Sequence, residues 1–247
     1  ASPEVDAAYR LLDGLAAEQA AVLVAFEYEP DTVAELQPLA EAVLDHLAQS
    51  EDVTVYAVST RPTGPAMAED VLQREAIRPR LAADGGTWVN LGFLPGQANG
   101  ISSLTYGSPP GVPSSLSLDY LGQPTGLQST RLVGGAFDLI IVFAARPEDL
   151  RAWIEQAAAP TGIPVLAGLS ARSAPFAQPY RQSGQLVAVL AGLNDAVAYR
   201  ARDGAEAGPA VMSRWSAQVV GSVAVALLVL IGGLAYGLSS SRGEQVR

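Results

Sequence analysis

From residue 20 onward the chain alternates short apolar runs with segments of helical period. Residues 20–28 (AAVLVAFEY) form one such run, rich in strand-forming side chains, and in residues 38–49 Leu39, Val43, Leu44 and Leu47 then recur at helical spacing. Residues 53–60 (VTVYAVST) and 87–93 (TWVNLGF) read as further strands, with a helix over 65–74 between them. The run at 137–145 (FDLIIVFAA) predicts the most deeply buried strand. Its helix, 147–158, opens Pro-Glu-Asp, the order the helix dipole favours. Residues 164–170 (PVLAGLS) and 185–191 (QLVAVLA) complete six strands, and a helix over 2–15, ending near Gly14, precedes them all. Strands that are apolar on both faces and separated by helices predict an α/β fold, a mostly parallel sheet covered on both sides, doubly wound in a Rossmann-like or flavodoxin-like manner.

Two segments break this rhythm. Residues 96–135 are crowded with Gly, Ser, Pro, Thr and Gln, including SPPGVPSS at 108–115, and show little period of either kind. They predict an irregular insertion, either a lid or partner-docking loop or a plain surface excursion. Residues 215–241 carry no charge at all, and their centre, VVGSVAVALLVLIGGLAYGL at 219–238, is long enough to cross the ~30 Å of a bilayer's hydrocarbon core. The division expected is an α/β domain over 1–200, a linker over 201–214, one transmembrane helix over 215–239 and a short tail over 240–247. Trp215 and Tyr236 fall where interfacial aromatics belong. Ala217 with Gly221, and Gly233 with Gly237, repeat at the four-residue spacing that lets a second helix approach. The lipid bilayer is thus the first expected partner; other membrane subunits, or self-association through the span, come next.

Orientation rests on less. Arg242 and Arg247 follow the span but Arg200, Arg202 and Arg214 precede it closely, so basic residues do not choose a side. An Ala-Ser start without methionine suits a removed leader, a trimmed chain or a removed N-terminal span. The expectation is a single-pass protein of the cell membrane with its main domain outside the cytoplasm.

Composition then narrows the chemistry. Before residue 215 there are 24 acids against 13 arginines, a net charge of −11, the wrong sign for nucleic acid. Lysine is absent, which removes Schiff-base and phosphate-loop lysines; cysteine is absent, which removes thiolate nucleophiles, disulfides and thiolate metal sites. His46 is the sole histidine, and its helical neighbours Glu41, Asp45 and Gln49 predict a solvated or half-buried face. No glycine-rich turn follows the first strand and no G-x-S-x-G occurs, so no catalytic residue, cofactor or metal is predicted.

Ligands of open parallel sheets bind beyond the carboxyl ends of the strands. Those ends carry Glu27, Glu29 and Asp31; Ser59, Thr60, Arg61 and Thr63; Asn90; Arg146; Ser170, Arg172 and Ser173; and Asn194 and Asp195. From them Glu27, Glu29, Asp31, Arg61, Ser170, Arg172 and Asn194 form the candidate ligand-binding set. Arg61 and Arg172 suit an anionic or zwitterionic ligand, and the acids of FEYEPDT suit a cation. Structural roles compete: Thr32 and Glu35 have the spacing of a capping box, with Asp31 as a cap nearby, Arg61 begins a turn, and Asn194 with Asp195 turn the chain.

The segments AFEYEPDTVAELQPLAEAVLDHL, VYAVSTRPTGPAMAEDVL, WVNLGFLPG and PYRQSGQLVAVLAGLNDAVAYR, together with the terminal span, resemble a group of uncharacterised membrane-anchored proteins of Chloroflexota-type bacteria. The resemblance implies an α/β domain on a membrane anchor and brings no activity or site residue with it. Three functions are open at this point. The leading one is a non-catalytic module docking on partner proteins as an accessory subunit of a membrane complex. Next is a binding or sensing domain for a small polar ligand, and third a hydrolase or transferase using Glu27, Glu29 and Asp31.

Overall fold

The structure, a computed structural model, describes residues 2–15, 20–49, 53–74, 77, 87–107 and 137–244, without the side chains of 87 and 235–244. Contacts divide the chain into two units, residues 1–206 and 207–247.

The first unit is built on a six-stranded sheet, β1 (Ala20–Glu27), β2 (Val53–Ser59), β3 (Thr87–Phe93), β4 (Leu139–Ala144), β5 (Val165–Leu169) and β6 (Ala188–Ala191). All neighbours pair in parallel, in the order β3-β2-β1-β4-β5-β6. This is the Rossmann order rather than the flavodoxin one, and β1 and β4 are the central pair at which it reverses. Their register brings Glu27 opposite Ala144, so both strands end level at the switch point.

Two apolar layers cover the sheet, as strands buried on both faces require. On one face α1 (Pro3–Leu15), α2 (Val33–Leu47) and α3 (Gly64–Leu72) place Leu12, Leu39, Leu44, Leu47, Val71 and Leu72 against Val22, Val24, Val55 and Ile141. On the other, α4 (Ala98–Tyr106) and α5 (Pro147–Trp153) place Ile101, Leu104, Leu150 and Trp153 against Leu23, Ala25, Ile140 and Val142. Helix α5 runs on through a π turn, Ile154–Ala158, to Thr161. The Gln156 carbonyl there takes the Thr105 hydroxyl at 2.7 Å, an outside donor at a place where the regular helix ladder is interrupted. Helices α6 (Gln178–Gln182) and α7 (Gly192–Arg202) flank β6.

Several expectations need correction. Residues 98–106, read as irregular, are helix α4: Asn99 and Gly100 are poor helix formers, but Ile101 and Leu104 are buried in the second layer and tertiary packing outweighs propensity. The remainder of that insertion, from 108 on, lies outside the described residues. Asn194 and Asp195 do not turn the chain; they lie in the first turns of α7, where Asp195 Oδ2 reaches back to accept the Ala191 N–H at 2.8 Å just before the helix. His46 is buried, 5% exposed, not solvated. It stacks on Tyr9 with ring centroids 4.4 Å apart and shares Nδ1 with the Tyr199 hydroxyl at 2.6 Å, because α1 and α7 pack over this end of α2.

The second unit holds α8 (Pro209–Glu244). It begins with proline at its first position, directly after Gly208 and inside the stretch read as linker. Residues 209–234 are long and apolar enough to cross a membrane, and none of that stretch's apolar window is buried. Leu228, for example, is 69% exposed. A buried core helix would show the opposite.

Candidate functional site

A cleft of about 220 Å³ opens at the carboxyl ends of β1, β4 and β5, at the switch point, lined by Glu27, Tyr28, Glu29, Asp31, Thr32, Glu35, Ala145, Arg146, Ser170 and Arg172. Five of the seven candidate ligand residues meet there: Glu27, Glu29, Asp31, Ser170 and Arg172. Arg61 and Asn194 stand outside its lining.

Glu27 is the floor residue and is 1% exposed. Its Oε1 accepts the Thr60 amide at 2.9 Å and the Trp153 indole at 2.9 Å, while Oε2 meets the Thr60 hydroxyl at 2.7 Å. Burial pushes this carboxyl above its ordinary range; the three donors pull it down and nearby Asp149 adds to the rise. A carboxyl so fully engaged orders the ends of β1, β2 and α5 and has little left to offer a substrate.

Beside it lies a chain of alternating charges. Arg61 pairs with Asp149 at 2.5 Å, both side chains almost buried, and Arg146 pairs with Glu29 across the switch point. Burial raises the Asp149 carboxyl although Arg61 and Arg146 lower it, and its Oδ2 is buried without a hydrogen-bond partner among the described residues. Arg61 is therefore a partner of Asp149, drawn inward from the turn after β2. Arg146, a strand-end residue outside the candidate set, stands with Arg172 on the cleft wall; its position directly after the most apolar strand was the available signal.

The walls are preorganised. After β1, the Thr32 hydroxyl donates to the Glu29 carbonyl at 3.1 Å instead of capping α2, so the expected capping box does not form. Glu35 reaches across to accept the Ala171 amide at 2.7 Å through Oε1. This ties the first turn of α2 to the loop after β5. On that loop Ser170 and Ser173 both donate to the Ala145 carbonyl, at 3.0 and 2.6 Å, and the Ser173 amide bonds the Ser170 carbonyl at 2.9 Å. Arg172 is held within this turn with its side chain exposed. Gly192 sits behind Glu35 with φ of 56°, where an added Cβ would stand 2.9 Å from Glu35 Oε1. Glycine there permits both the left-handed backbone and the close approach.

No protein-family model, curated protein or solved structure matches this chain. The chemistry of the cleft is thus the guide to function. In dinucleotide-binding sheets of this strand order the phosphates rest on the helix start after β1. Here Glu29, Asp31 and Glu35 occupy that place and would repel them. Among the described residues no group of three or more His, Asp or Glu is placed to hold a metal ion.

The small residues singled out on the span, Ala217, Gly221, Gly233 and Gly237, all lie on α8, and the space around Gly221 and Gly233 is open. The side chain of Tyr236 lies outside the described ones.

Proposed function

We propose that this chain is a membrane-tethered binding domain that takes a small charged ligand in the strand-end cleft, with α8 as its anchor in the bilayer. One observation carries the reading. At the switch point of a Rossmann-ordered sheet, where such folds bind their ligands, the chain forms a cleft whose walls bear Asp31 and Arg172, neither of which has a hydrogen bond or ion pair among the described residues. Charged groups that no neighbour among the described residues pairs are available to a ligand without an existing ion pair being broken. Catalysis through the acid cluster is less well supported, because Glu27 is consumed by three donors and Glu29 by Arg146. The apolar, unburied surface of 209–234 supports the anchor.

Thermal unfolding of the full chain in detergent micelles, against a panel of small polar metabolites, tests the proposal. A ligand present at about a hundred times its Kd adds about 2.7 kcal/mol, a rise of several degrees for a domain of this size. We expect at least one metabolite to produce that rise, and Arg172→Ala to abolish it. No stabilisation by any of them, or stabilisation untouched by Arg172→Ala, would remove the cleft as the binding site.

A further inference from the structure

We infer that the cleft selects a small zwitterion, a molecule bearing both an ammonium and a carboxylate as a short-chain amino acid does; this deepens the reading above and rests on it. The charges are segregated. The wall from β1 and α2 carries Glu29, Asp31 and Glu35, whereas the wall from the loops after β4 and β5 carries Arg146 and Arg172. Glu29 and Arg146 neutralise each other across the switch point. What remains is Asp31 and the Oε2 atom of Glu35 on one side and the Arg172 guanidinium on the other, each without a partner among the described residues.

Asp31 and Arg172 share one cleft and still form no ion pair. A lone anion at Arg172 would meet the field of Asp31 and Glu35, and a lone cation at Asp31 would meet that of Arg172. A molecule bearing both charges satisfies both walls, with its dipole antiparallel to that of the cleft. Size permits it, since about 220 Å³ lies below the range that takes drug-sized ligands and holds a small molecule. The turn from Ser170 to Ser173 fixes Arg172 at its backbone, and the Ala171 amide fixes Glu35 through Oε1. The Arg172 backbone and the Glu35 carboxylate are therefore held before a ligand arrives.

Isothermal titration of the full chain in detergent micelles near neutral pH tests this with three sets of probes. Glycine, alanine, β-alanine and serine carry both charges; methylamine and ethanolamine carry the positive one; acetate, glycolate and inorganic phosphate carry the negative one. At least one zwitterion should bind about tenfold or more tightly than any single-charge probe, and Asp31→Asn and Arg172→Gln should each weaken it by about the same factor. Both residues are exposed and unpaired among the described residues, so unchanged melting curves of the two variants without ligand serve as the folding control. Binding of acetate, phosphate or an amine as tight as that of every zwitterion, with loss in the corresponding variant, keeps the cleft as a site and overturns the zwitterion. Failure of every zwitterion to bind also overturns it. Absence of stabilisation by the whole metabolite panel, in contrast, brings down the cleft itself.

Discussion

Glu27 joins three elements through one carboxyl group, and its replacement separates two roles that a carboxylate can play. Glu27→Ala leaves the Thr60 amide and the Trp153 indole buried without an acceptor, at a cost of about 3 kcal/mol. Glu27→Gln keeps an oxygen for those donors and offers its amide to the Thr60 hydroxyl. Because burial lifts the Glu27 carboxyl above its unfolded value, the native state holds that proton more tightly, and the group's contribution is lost as pH rises through the folded value. Urea unfolding should therefore show Glu27→Gln gaining on the wild type as pH rises above the ordinary carboxyl range, and Glu27→Ala below both throughout. His46 works in the opposite sense. Burial depresses its imidazole despite the nearby Asp203, Asp13 and Asp45, so the unfolded chain binds the proton more readily. Its contribution is complete above about pH 6.5 and declines as pH falls towards the depressed folded value. Replacing it in His46→Gln should flatten the wild-type loss of stability on the acid side of neutrality in the same urea titration.

At the scale of elements, the turn from β2 into α3 is packed without tolerance. A Cβ on Gly64 would stand 1.9 Å from Ser59 Oγ and 2.6 Å from the Phe26 carbonyl oxygen, and Ser59 Oγ itself bridges that carbonyl and the Arg61 amide. Since the obstacle includes the backbone of β1, Gly64→Ala should cost about 2–3 kcal/mol, read as a lowered midpoint of thermal unfolding. It should also disturb Thr60, the principal donor to Glu27. The strands were legible in the sequence as short runs dominated by apolar residues, α1 because its buried Val5, Ala8 and Leu12 keep a helical period, and α2 because its large apolar residues Leu39, Val43, Leu44 and Leu47 do. Helix α4 was not, since Asn99 and Gly100 hide its period, and neither was α7, because Asn194 and Asp195 in its first turns are also common turn residues. Of the cleft, the acids after β1 and the Ser170–Arg172 loop could be read from their places at strand ends. The exclusion of Arg61 could not, because it depends on Asp149 from α5, 88 residues along the chain.

At the scale of the molecule, two features stand out: a sheet whose switch point presents a cleft with separated charges, and a helix whose apolar surface is left uncovered. We take the first as the seat of recognition and the second as the tether. Hydrogen–deuterium exchange on the full chain in lipid nanodiscs, with and without a pool of small zwitterionic metabolites, tests the recognition claim most directly. If the cleft is the seat, the ligand pool should protect residues 28–35 and 170–173, its two walls, with the amides of α8 slow to exchange in both states. Protection absent from both walls, or confined to segments remote from them, would contradict it.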